Sequence, residues 1–173
     1  MTEQPARPFH DRRYVRGHRT DEAGKVCHIR TSTAHNEPWL ARPDCANVFV
    51  ESLLKWRSQL DFKLFGFVVM PEHVHILLMP TETAGLRKIV MNLKRQSAWD
   101  INRLLGRSGR FWRGEFFDHW MRNKGQAART VEYLHSNPVR RELVKSPEDY
   151  QYSSWHAWHR PEECSYHLDL DWW

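Results

Sequence analysis

The stretch that decides the fold is Phe62–Met79, FKLFGFVVMPEHVHILLM. Its first half, Phe62 to Met70, is a run rich in β-forming residues. Pro71 and Glu72 interrupt it, and His73 to Met79 forms a second such run, so the whole reads as an antiparallel hairpin. In the second strand Val74, Ile76 and Leu78 share one face. His73 and His75 share the other, with backbones roughly 6.5 to 7 Å apart, a spacing that lets two imidazole nitrogens reach one cation. The apolar side is expected to meet helices, leaving the histidines on an open face. Two readings stand at this point: a metal site, or two polar residues on a solvated sheet surface.

On the N-terminal side of the hairpin, Lys25 to Ser32 predicts a first strand, and Ala34 to Pro43 is a turn-rich segment interrupted by Pro38 and Pro43. A helix follows, capped by Asp44, with Cys45, Val48, Phe49, Leu53 and Trp56 at helical intervals and an end near Ser58. On the C-terminal side, Leu86, Ile89, Val90, Leu93, Ile101, Leu104 and Leu105 form the stripe of a second helix stopped by Gly106. Phe111 to Met121 predicts a fourth strand, and Gly125 to Asn137 a third helix ending before Pro138. The order β, α, β, β, α, β, α predicts an α+β fold: a ferredoxin-like four-stranded antiparallel sheet, two helices on one face, and a further helix able to cover part of the other. At 173 residues the chain is long enough for one domain. The expected division is a basic arm over 1–24, a catalytic domain over 25–160 and a tail over 161–173.

The formal net charge is +5, with basic clusters at Arg7 to Arg19, Arg87 to Arg95 and Arg103 to Arg113, which favours a polyanionic partner. No apolar run reaches the length of a membrane helix, and the first residues lack the apolar core of a signal peptide. Cytoplasmic residence, with association to the nucleoid when DNA is bound, is therefore expected. The three cysteines, Cys27, Cys45 and Cys164, are odd in number and widely spaced, which disfavours both a disulfide framework and a cysteine metal site.

In the third helix Ala127, Ala128, Val131 and Leu134 set the apolar stripe, and Tyr133 lies about 200° around from Val131. Asn137 is one turn beyond Tyr133 on the same side, so its amide can join His73 and His75 on a cation while the tyrosine hydroxyl lies alongside. Asn137 also suits a helix stop before Pro138. Asp118 and His119 have no assigned role.

Three blocks carry a resemblance: MPEHVHILL at Met70 to Leu78, FWRGEFFDHWMR at Phe111 to Arg122, and YLHSNPVRRELV at Tyr133 to Val144. Together with DYQYSSW at Asp149 to Trp155, they resemble the REP-associated tyrosine transposases of the single-tyrosine HUH nuclease superfamily, over Lys25 to Trp158. The resemblance implies that His73, His75 and Asn137 hold the metal and that Tyr133 is the nucleophile. It also implies a covalent link from tyrosine to a 5′-phosphate, and REP-type hairpin or single-stranded DNA as partner. It points to a monomer. Glu72 stands where many relatives carry Asn, and has no catalytic role assigned. Mg2+ or Mn2+ is the expected ion, polarising the scissile phosphate. Arg87, Lys94, Arg95, Arg107, Arg110 and Arg113 are candidate backbone contacts, and Trp112, Trp120 and Trp155 candidate stacking residues. Two other functions fit the same histidines: a zinc hydrolase with His119 or another histidine as third ligand and no covalent step, and a DNA-hairpin-binding descendant without turnover.

Overall fold

The computed structural model of the chain describes residues 23–172. The basic arm expected over 1–24 lies almost wholly outside them. Four strands, β1 (Cys27–Ser32), β2 (Lys63–Met70), β3 (His73–Met79) and β4 (Phe117–Trp120), form one antiparallel sheet in the order β2-β3-β1-β4. This is the expected ferredoxin-like arrangement. Helices α1 (Pro43–Leu60) and α2 (Leu86–Leu104) pack on one face. There Phe49, Leu53, Ile89, Val90 and Leu93 meet Ile29, Val74, Ile76 and Leu78 in the larger core.

Helix α3 (Lys124–Arg140) closes part of the opposite face. Ala127, Val131 and Leu134 bury Phe65, Val68, Met70 and Leu77 in a second core. The face expected to be open is therefore half covered, and His73 and His75 are each only 3% exposed. Burial of the aliphatic side chains beside the histidines, not the histidines themselves, drives that coverage.

Four boundaries differ from expectation, each for a local reason. Asp44 lies in the first turn of α1, whose N-terminal position is Pro43, a residue that loses nothing by lacking an N–H there. The end of α1 moves to Leu60, where Asp61 turns into the left-handed region at φ 51°. Strand β4 is short because its pairing with β1 is interrupted: Trp112 still bridges Thr33, with its ring meeting Phe49 edge to face at 5.6 Å in the larger core, and regular pairing begins only at Phe117. Helix α3 runs through Pro138 to Arg140, so Asn137 does not end it.

Residues beyond α3, which show no periodicity, line the outer edge of β2. The Phe67 N–H donates to Ser154 Oγ, the Ser154 N–H to the Phe67 carbonyl and the Val69 N–H to the Tyr152 carbonyl. Tyr150 Oη and Trp158 Nε1 donate to the Val69 and Phe65 carbonyls. The segment blunts a strand edge that would otherwise invite pairing with another chain. Among the described residues no helix is long and apolar enough to cross a membrane.

Candidate active site

His73 and His75 alternate with Val74 and Ile76, so the core that holds the two aliphatic residues turns both imidazoles to the α3 side. Their Nε2 atoms lie 3.1 Å apart. Two cis ligands of an octahedral ion at about 2.1 Å would be about 3.0 Å apart, so the pair suits a small hard cation. Burial pushes the proton affinity of both rings down, most strongly for His75. Both are therefore neutral at physiological pH, the form that offers a lone pair to a metal.

The Nδ1 atom of each ring is engaged from behind. His73 Nδ1 meets Glu72 Oε1 at 3.0 Å, and Arg141 Nη2 at the end of α3 meets the same oxygen at 3.1 Å. The hydrogen bond from His73 holds the Glu72 carboxyl at about 2, below its ordinary range. His75 Nδ1 meets His28 Nε2 at 2.9 Å. His28 is itself buried, and burial brings its pKa down to about 3. Glu72 can only accept, so His73 carries its proton on Nδ1 and its Nε2 is a bare acceptor.

From α3, the Tyr133 ring stands edge-on to His75 with centroids 5.7 Å apart. The Arg140 guanidinium lies 5.5 Å over that tyrosine ring. Asn137, one turn along, is 7% exposed, and its Nδ2 has no hydrogen-bond partner among the described residues. A buried amide without a partner costs free energy unless something engages it. Turned over, it presents Oδ1, the atom a hard cation takes. Two imidazole nitrogens and an amide oxygen are donors of the kind that Mg2+ or Mn2+ accepts.

The candidate DNA contacts fall elsewhere. Helix α2, with Arg87, Lys94 and Arg95, is on the sheet face opposite the histidines. Lys94 Nζ donates to the carbonyls of Arg113, Gly114 and Glu115, and Arg107 lies over the Trp39 ring and donates to Asn102. Arg110 and Arg113 are exposed on the loop before β4, and the Arg113 N–H donates to Ser32, the cross-strand partner of His73. Trp112 is buried, Trp120 packs against the larger core, and the Trp155 ring lies tilted against His159 with centroids 4.4 Å apart.

Sequence reasoning missed His28, Arg30 and Phe117, which share the face of the histidines. The alternation of His28 and Arg30 with Cys27 and Ile29 was the available signal. Only the strand register, however, brings Arg30 opposite both His75 and Phe117.

Comparison with known proteins agrees with this architecture. A family model described as "Transposase IS200 like" matches residues 26–137. A REP-associated tyrosine transposase of Escherichia coli K12 is 26% identical over 106 residues, 61% of each chain. A Haemophilus influenzae protein described in the same terms is 24% identical over 123 residues, 65% of this chain and 70% of its own. Among solved structures, a REP-associated tyrosine transposase bound to a REP hairpin superposes with a TM-score of 0.72 at 20% identity, over 86% of this chain and 87% of that one. A transposase-like protein from Deinococcus radiodurans superposes at 0.50, with 20% identity, over 72% and 97%. With the family match spanning more than half of the sequence, the chain belongs to the IS200-like transposase family.

Proposed function

We propose that this protein nicks and rejoins single-stranded or hairpin DNA of the REP type, with Tyr133 as nucleophile and His73, His75 and Asn137 as the holders of Mg2+ or Mn2+. The observation that carries the reading is the Tyr133 ring standing edge-on to His75, beside two neutral imidazoles whose Nε2 atoms face each other at 3.1 Å. A hydrolase needs no tyrosine there.

When bound, the ion would draw charge from the non-bridging oxygens of the scissile phosphate. Tyr133 Oη attacks phosphorus in line, a phosphotyrosine bond forms as the bond to the 3′-oxygen breaks, and that oxygen leaves as a 3′-hydroxyl. The phenol loses one proton during attack and the departing 3′-oxygen takes one up, so the step is proton-neutral overall. Because one phosphoester replaces another, the bond is kept for a second DNA 3′-end to reverse. The family resemblance supplies the 5′ polarity. The same reading has the protein act as a monomer in the cytoplasm, at the nucleoid.

The hydrolase reading is disfavoured by His119, whose Nε2 sits 2.9 Å from Gln126 on α3, and by His28, which meets the Nδ1 side of His75. The test is incubation with labelled hairpin DNA from the flanks of the gene, with Mn2+, followed by denaturing electrophoresis. A covalent adduct that disappears in Tyr133→Phe and His73→Ala is expected. Cleavage that survives Tyr133→Phe would establish the hydrolase, and hairpin binding with no cleaved strand would leave a binding protein.

A further inference from the structure

Across the sheet, Val68, His75, Arg30 and Phe117 stand side by side on one face of β2, β3, β1 and β4. Helix α3 packs on β2 and β3 and covers the Val68 end. Among the described residues the β1–β4 end is less covered: His28 is buried, but Arg30 is exposed and Phe117 is 36% exposed. Neighbouring strands are about 4.8 Å apart, so Arg30 adjoins His75 and Phe117 is about 10 Å from it.

The Phe117 ring has two ring neighbours on the same face. His119 stacks parallel to it at 6.5 Å, His28 meets it edge-on at 6.5 Å, and Gln126 on α3 holds His119. An aromatic ring next to a cation and partly open to solvent is the pairing that binds unpaired nucleotides: the ring takes the base, the guanidinium the phosphate. Exposed Arg113 and Arg122 bracket β4, while Asp118 points to the other face.

We propose that Phe117 stacks an unpaired base and Arg30 holds a backbone phosphate of the single strand on the β1–β4 half of this face, beside the histidine pair. It rests on the nicking reading only for the purpose of the neighbouring site. A duplex stem would not fit the role, since its bases are already stacked.

The test is anisotropy of the full chain with fluorescein-labelled oligothymidylate in EDTA, over a series of NaCl concentrations. Phe117→Ala is expected to lower affinity on the order of ten-fold with an unchanged salt slope. Phe117→Trp should restore binding and Phe117→Leu should not. Arg30→Ala should reduce the slope of log K against log salt by about 0.7, the loss of one phosphate contact on a single strand. Wild-type affinity in both alanine variants, or full binding by Phe117→Leu, would overturn the proposal. The readout needs neither metal nor cleavage. Binding that depends on Arg30 and Phe117 in a protein forming no adduct would sink the nicking reading alone, whereas an active enzyme indifferent to both substitutions would sink only this one.

Discussion

His28 holds His75 from behind: its Nε2 lies 2.9 Å from His75 Nδ1, while His75 Nε2 faces His73. With both rings neutral, one proton sits between them. If His75 gives it from Nδ1, the lone pair on Nε2 is free for a metal, and His28 is the group that selects that tautomer. His28→Ala is therefore expected to weaken Mn2+ binding by roughly 10- to 100-fold, read by electron paramagnetic resonance of free Mn2+. His28→Gln, whose amide oxygen also accepts, should recover much of the loss. Unchanged affinity in the alanine variant would show that His75 needs no such partner.

Glu72 does the same for His73 and adds a mechanical tie, because Arg141 joins its carboxylate to the end of the tyrosine-bearing helix. Glu72→Ala should lower Mn2+ affinity, and Glu72→Gln should lower it less. Arg141→Ala leaves the Glu72–His73 hydrogen bond in place, so calorimetric titration is expected to return near-wild-type metal affinity. Equal losses in Glu72→Ala and Arg141→Ala would mean that the helix tie, rather than the tautomer, matters.

How far such features can be read in advance depends on the range of the interaction. The facing histidines follow from period-two alternation within seven residues, and the sheet order from the succession of strands and helices. His28 is 47 residues from His75, and no local pattern announces a cross-strand partner at that distance. Strand β4 illustrates a different failure. FWRGEFF looks strand-like throughout, but the ladder is broken over 113–116: Trp112 bridges Thr33 with its ring in the core beside Phe49, and regular pairing resumes only at Phe117. Pro138 discourages helix on local grounds, and tertiary packing of His135, Asn137 and Pro138 carries α3 past it. The burial of His73 and His75 depended on where α3 docks.

Burial of His135 has a consequence for stability against pH. Its Nε2 is 2.9 Å from Ser154 Oγ, and burial, with a smaller effect of His159, brings its pKa down to about 3. In the unfolded chain a histidine titrates near about 6.5. Above that pH neither state binds the proton. Below it the unfolded state does and the folded state does not, so stability falls by about 1.4 kcal/mol per pH unit until the folded value is reached. Urea unfolding of wild type and His135→Gln at pH 7 and pH 5 should show the wild type losing about 2 kcal/mol more between the two. Parallel losses would mean that His135 is protonated in the fold.

Asn137 separates stability from function. Its buried Nδ2 lacks a partner among the described residues, and the helix does not need it as a cap. An apolar side chain of similar shape removes that unsatisfied group, a change worth about 1 kcal/mol or more in favour of the fold. Asn137→Leu should accordingly be at least as stable as wild type in EDTA, by urea unfolding. Adding Mn2+ reverses the order if the amide is a ligand: at about 100 times the dissociation constant, wild type gains about 2.7 kcal/mol that the variant forfeits. A leucine variant that is markedly less stable without metal would assign the amide a structural partner. One that gains as much from Mn2+ as wild type would remove Asn137 from the metal site and leave the two histidines to hold the ion without it.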